Sequence, residues 1–175
     1  MRLFLAIELS KEVKNELIKT QEELKAFLDA KFVEKENLHL TLKFFGDVED
    51  KKVGEMVEKL KRVKFKSFLS GLEGIGFFPS EKMIRVLWVG VEPREKIEGL
   101  YQEIEKVFGN NPERFESHIT LARIKSLQDK NEFLDKIKQV KVKPLEFEVR
   151  EFVLKKSTLT PNGPVYEDVE RFNLG

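Results

Sequence analysis

Cysteine is absent from the 175 residues, which excludes disulfides, thiolate metal sites and a cysteine nucleophile together. Histidine is nearly as scarce, with two in the whole chain, so imidazole chemistry has to be done by those two. Excess charge of one sign is also lacking. Thirty-two Lys and Arg stand against 31 Asp and Glu, a formal net charge of +1, so no global field draws the protein onto a polyanion and any such contact is local. There is no long hydrophobic run. The apolar opening Arg2-Leu3-Phe4-Leu5-Ala6-Ile7 meets Glu8 too soon for a signal-peptide core or a membrane span, so the expected compartment is the cytoplasm, with no membrane partner. No Gly-rich loop of the P-loop kind cradles a phosphate. Abundant Lys and Glu without Cys resembles the composition of heat-adapted proteins.

With 41% hydrophobic residues the chain is long enough to bury a core, and one domain over residues 1–175, acting as a monomer, is expected. Arg2 to Glu8 reads as a buried strand, and Ser10 as the cap of an amphipathic helix running to about residue 29 through Val13, Leu17, Leu24, Phe27 and Leu28. Leu38 to Phe44 alternates with the period of a strand, closed by Gly46-Asp47. Val53, Met56, Val57 and Leu60 restore helical spacing, and residues 65–78 read as strand broken by glycines. The second half repeats the order. A strand spans Ile84 to Val91, a helix carrying Ile97, Leu100 and Ile104 follows Pro93 and stops at Gly109, and a strand begins at His118. A short helix around Phe133, a strand over residues 145–154 and a last short strand near 165–172 complete the chain. The expected fold class is therefore α+β: a bilobal duplicated fold, with two mixed or antiparallel sheets around a pseudo-two-fold central cleft and helices on the outer faces. The lobes would divide near residues 80 and 81, with termini that cross between them.

Both histidines open the same four-residue pattern, His39-Leu40-Thr41-Leu42 and His118-Ile119-Thr120-Leu121. Strand alternation sends His39 and Thr41 to one face and Leu40 and Leu42 to the other, and treats the second copy alike. Two such strands related by a pseudo-axis would bring four polar groups to one cleft, and interfaces between lobes commonly bind ligands. Lys43, four residues after His39, shares the reactive face by the same alternation and is a candidate for meeting substrate anions.

The paired motifs resemble those of the two-histidine (2H) phosphoesterase superfamily. Within it the chain is similar to the RNA 2′,3′-cyclic phosphodiesterases, also called 2′-5′ RNA ligases. The similarity extends over Arg2 to Ile7, His39 to Gly46, Leu87 to Val91, His118 to Arg123 and the segment from Ser157 to Tyr166. Ser117 departs from the proline that such proteins often carry before the second histidine. The resemblance implies an enzyme that opens a 2′,3′-cyclic phosphate at an RNA end, tRNA fragments among the candidates, or in a small cyclic nucleotide such as an ADP-ribose cyclic phosphate. It implies no metal or other cofactor, and ligation as the same chemistry reversed. His39 is cast as acid and His118 as base by this analogy, since two imidazoles with ordinary pKa values near about 6.5 can hold complementary protonation states at neutral pH. Thr41 and Thr120 are cast as donors to non-bridging phosphate oxygens. Arg123 is the motif-linked arginine of the family, suited to phosphate by its bidentate fork. Its spacing of five from His118 puts it on the wrong face unless the strand ends or bulges.

Two other readings compete. In one, His39, His118 and a carboxylate such as Asp47 form a metal triad. In the other, the cleft binds RNA ends without turnover. Phe44, Phe45, Phe77, Phe78 and Trp88 suggest base stacking, but with 15 Phe in the chain each is assigned to the core.

Overall fold

A computed structural model describes all 175 residues. Nine strands and four helices follow in the order β1 (Arg2–Ile7), α1 (Lys11–Leu24), β2 (Leu28–Phe32), β3 (Leu40–Asp47), α2 (Asp50–Leu60), β4 (Phe68–Ser80), β5 (Met83–Glu92), α3 (Arg94–Phe108), β6 (His118–Leu127), α4 (Lys130–Gln139), β7 (Glu146–Val149), β8 (Glu151–Thr160) and β9 (Gly163–Asn173). The helix ends follow local chemistry. The Ser10 hydroxyl accepts from Val13 N–H at the start of α1, the Asp129 carboxylate accepts from Glu132 N–H at the start of α4, and Gly109 closes α3 at φ 74°.

The strands lie in the order β7-β4-β5-β6-β3-β1-β8-β9, with β2 also on β6, and every pairing is antiparallel. The order is a palindrome of roles. β6 and β3 meet at the centre, β5 and β1 flank them, and β4 and β8 come next. The two expected sheets are thus joined into one curled array, and the joint between β3 and β6 is a single residue pair, Leu40 opposite Ile119. The chain exchanges strands across that joint: β2 and β4 pair with β5, β6 and β7, while β8 and β9 return to β1. The division expected near residues 80 and 81 lies in the β4–β5 hairpin, so each half of the chain builds both halves of the sheet.

Leu40, Leu42, Ile119 and Leu121 are fully or almost fully buried and share one apolar cluster with Val13, Leu17 and Leu24 of α1, Ile97 and Leu100 of α3, and Phe133 of α4. The helices therefore cover one face of the array and leave the other to the cleft. Burying each of these side chains contributes about 1.5–3 kcal/mol, and this fixes which way the motif strands face. None of the four helices is long and apolar enough to cross a membrane.

Some elements differ from the expectation. The first helix ends at Leu24, and Leu28–Phe32 pairs with β6 as a strand. Residues 145–154 form parts of two strands, β7 and β8, on opposite sides of the array. The glycines of β4 do not break it, because Gly76 lies beneath Trp88 of β5. A Cβ at position 76 would lie 2.3 Å from the indole, so only glycine lets the two strands pair there.

Candidate active site

Because Leu40 and Ile119 are a cross-strand pair buried against the helices, the residues on either side of them turn to the opposite face. His39, Thr41, His118 and Thr120 all line a single cleft of about 1140 Å³. The two histidines flank the one residue pair at which β3 and β6 join.

The two rings are oriented alike. Nδ1–H of His39 donates to the carbonyl oxygen of Asn37 at 2.6 Å, and Nδ1–H of His118 to that of Glu116 at 2.7 Å. In each case a backbone carbonyl two residues upstream fixes the tautomer and leaves Nε2 as the free ring nitrogen. The Nε2 of His39 lies 2.8 Å from the Thr41 hydroxyl, which donates to it while the ring is neutral. Asn37 also ties this turn to the β8–β9 hairpin, its Nδ2 donating to Pro164 O at 2.9 Å. At the start of β6, the Ser117 hydroxyl donates to Val91 O at 2.9 Å, so serine fastens the approach to His118 onto β5.

Aromatic rings hold both imidazoles. Phe4 lies 5.1 Å from His39 and Tyr166 meets it edge-on at 5.4 Å, while Phe78 meets His118 edge-on at 5.0 Å and Trp88 lies at 5.9 Å. Loss of hydration within these cages lowers both histidine pKa values, opposed in each case by the hydrogen bond to the backbone carbonyl. His39 is the more deeply enclosed, and Glu116 adds a charge that favours protonation of His118.

Both motif strands bulge at the same position. Against β1, Ala6 pairs with Thr41 and Leu5 with Lys43, leaving Leu42 as an extra residue; against β5, Trp88 pairs with Thr120 and Leu87 with Ala122, leaving Leu121 as its counterpart. A bulge reverses the alternation beyond it. Leu121 and Ala122 are consequently both buried, and exposed Arg123 rejoins His118 and Thr120 at the cleft. Gln21 of α1 braces this bulge, its side-chain amide donating to Leu121 O at 2.9 Å and Val33 O at 3.0 Å.

The same reversal turns Lys43 away from His39. Simple alternation puts it beside His39, but beyond the Leu42 bulge it turns toward α3. Although Lys43 touches the rim of the cleft, its ammonium bonds Glu105 Oε1 at 2.5 Å, a carboxylate whose side chain is only 3% exposed. Phe45 faces the same way and packs on Phe108 of α3. Phe44 takes the cleft position instead. It is 68% exposed and leans on Phe4 at 5.7 Å, so at five residues past the histidine one strand offers the cleft a guanidinium and the other an aromatic ring. The rings around the histidines were hidden in the sequence among 15 Phe, but Tyr166 and Trp88 stand in segments that carried the family resemblance.

The metal triad does not assemble. Asp47 lies at the far end of β3, opposite Arg2, and nowhere do three or more His, Asp or Glu side chains gather as ligands would.

Comparison with known proteins identifies the family. The family described as LigT like Phosphoesterase matches residues 7–88 and again residues 89–166, one match over each histidine motif. An RNA 2′,3′-cyclic phosphodiesterase of Methanocaldococcus jannaschii is 38% identical over 180 residues, covering 98% of this chain and all of the relative. That of Thermotoga maritima is 38% identical and covers 95% of this chain and 92% of its own. Among solved structures, E. coli LigT complexed with 3′-AMP superposes with a TM-score of 0.76 at 26% identity, covering 99% of this chain and 97% of LigT. TT0787 of Thermus thermophilus superposes at 0.75 with 30% identity and the same coverage. With a doubled family match, full-length relatives and two H-x-T-L strands facing one cleft, this chain belongs to the LigT-like family of two-histidine phosphoesterases.

Proposed function

We propose that the protein hydrolyses 2′,3′-cyclic phosphates at RNA ends to 2′-phosphomonoesters, with His39 as general acid and His118 as general base. The observation that carries this is the placement of both histidines beside one cross-strand pair, each with Nδ1 occupied by a backbone carbonyl and Nε2 left for the cleft. The names of the relatives supply the substrate class.

Water attacks phosphorus opposite the ribose 3′ oxygen. Nε2 of neutral His118 takes the water proton as the new P–O bond forms, Nε2–H of protonated His39 gives its proton to the 3′ oxygen as the P–O3′ bond breaks, and the phosphate remains on O2′. Exchange with solvent then restores the two rings. Each proton transfer is worth about 10²- to 10⁴-fold. The assignment of acid and base rests on analogy with the family. Glu8 stabilises the protonated form of His39, and Glu116 the imidazolium that forms on His118. Protonation of His39 removes the Nε2 lone pair to which Thr41 donates, so the threonine hydroxyl is released toward a phosphate oxygen and Nε2–H turns to the 3′ oxygen. Thr120 offers a second hydroxyl and Arg123 a guanidinium to the same phosphate. Ligation to a 5′-hydroxyl is the reverse reaction, with a ribose hydroxyl in place of water. The monomer in the cytoplasm is the form in which we expect the enzyme to work.

The test is product analysis by mass and regiochemistry on cyclic-phosphate substrates after exhaustive chelation. Retained turnover to a 2′-phosphate is expected, and activity that disappears on chelation and returns with added metal would refute the proposal. The lowered pKa values also predict the pH dependence. Free enzyme needs one ring protonated, and both rings lose their protons below the ordinary value of about 6.5. The bell of kcat/KM therefore centres on the acid side of that value and falls as pH rises through neutrality, whereas kcat, measured with anionic phosphate bound, holds to higher pH. A flat profile between about pH 5 and 9 would contradict the two-imidazole mechanism.

A further inference from the structure

The cations that line the cleft fall into two groups. Lys43 is bonded to Glu105, Arg114 to Glu116, and Lys155 to both Glu8 and Asp168. Arg2, Lys31 and Arg123 line the same cleft, are exposed, and have no carboxylate partner. Of the six cations that line the cleft, these three are the ones open to an incoming anion.

Their placement makes the arrangement unfavourable in the empty protein. Lys31 of β2 and Arg123 of β6 are directly opposed in the ladder, and like charges so placed destabilise a sheet. On the other side of the cleft, Arg2 shares a strand face with Phe4, which touches His39. The β8–β9 hairpin connects the two sides. The Tyr166 phenol is pushed up by burial and pulled down by Arg123, Arg2 and the paired Lys155, so two of the three free cations act on one hydroxyl. The Lys31 ammonium comes up against the turn at Gly163, where a Cβ would lie 3.5 Å from its Nζ. Glu34 and Glu36 also line the cleft but pair with none of the three. An anion is what such a group lacks. Arg123 serves the reacting phosphate, and Lys31 stands across the ladder from it on the neighbouring strand, about 4.8 Å away, as a further cation beside that site. That offset suits a phosphate further along the same nucleic-acid strand.

We propose that Lys31 and Arg2, beside Arg123, form a second phosphate subsite that takes the internucleotide phosphate preceding the terminal cyclic phosphate, so that the enzyme prefers an RNA end to a cyclic mononucleotide. This rests on the cyclic phosphodiesterase reading above. The occupant is a nucleic-acid phosphate and not an acidic protein segment, because the group opens into the cleft that holds both histidines.

The experiment compares kcat/KM for three substrates: a 2′,3′-cyclic mononucleotide, a dinucleotide with the same cyclic end, and that dinucleotide with a neutral methylphosphonate linkage. Wild-type enzyme is expected to favour the charged dinucleotide over both others by about tenfold or more, the worth of one charge-assisted contact, with the advantage shrinking as salt is added. Lys31→Gln and Arg2→Gln should each remove most of that advantage while leaving mononucleotide turnover within about twofold, and Lys31→Arg should keep it. Equal kcat/KM on the three substrates, or an equal loss on all of them in the variants, would overturn the subsite alone. No wild-type turnover of any of them would overturn the functional reading and the subsite together.

Discussion

Replacing His118 with alanine is expected to lower kcat by about 10²- to 10⁴-fold, and replacing His39 by a similar factor, in proteins that still fold. Neither imidazole packs in the apolar cluster; each stands in a ring-lined recess on the cleft side of its strand, held by one backbone carbonyl. Removal therefore takes away the Nε2 that moves the proton and disturbs the core little. Because one turnover uses both rings, the double variant should be only slightly slower than the worse of the two single variants, as groups acting in one step are not additive. Steady-state rates and thermal melts of the three variants check this. A single replacement that left kcat unchanged would remove that histidine from the reaction.

A second large effect separates Lys43 from Arg123, which the sequence had offered as two phosphate-binding cations. Lys43→Ala would leave the Glu105 carboxylate buried without its partner, and breaking such a pair costs about 3 kcal/mol or more. A chain of this size should then melt on the order of 10 °C lower, while kcat/KM below the transition changes by no more than a few-fold. Arg123→Ala should do the reverse. An exposed guanidinium without a partner contributes little to folding, but losing a charge-assisted bond to phosphate should lower kcat/KM about 10- to 100-fold. Melts and kinetics on both variants decide. A Lys43 variant with native stability and impaired catalysis would return that lysine to the cleft.

The histidine pair could be recognised from sequence because its signal is redundant. The same four-residue pattern occurs twice, and strand alternation points both pairs of polar groups one way. The same alternation misplaced Lys43 and left Arg123 doubtful, since a bulge is decided by hydrogen bonding to a neighbouring strand. Leu42 and Leu121 look like ordinary inward residues, and only their partners on β1 and β5 show the extra step. The strand at Leu28–Phe32 was concealed for a related reason. Phe27 and Leu28 continue the apolar spacing of α1, and the edge of β6 that claims this segment is about a hundred residues away in the chain. The exchange of β4 and β8 across the joint is likewise a long-range choice. Hairpin contacts can be expected from sequence, but nothing local to residues 151–173 indicates that they return to β1.

The scarcity of histidine makes the most direct test possible. With two in the chain, proton NMR shows two imidazole Hε1 signals, and their pH titrations can be followed with and without a nucleoside 2′-phosphate. If one phosphate lies between the rings, both signals shift along a single saturation curve and both pKa values rise on binding. A ligand that moves only one signal, or moves the two with different affinities, would show that the imidazoles serve separate sites.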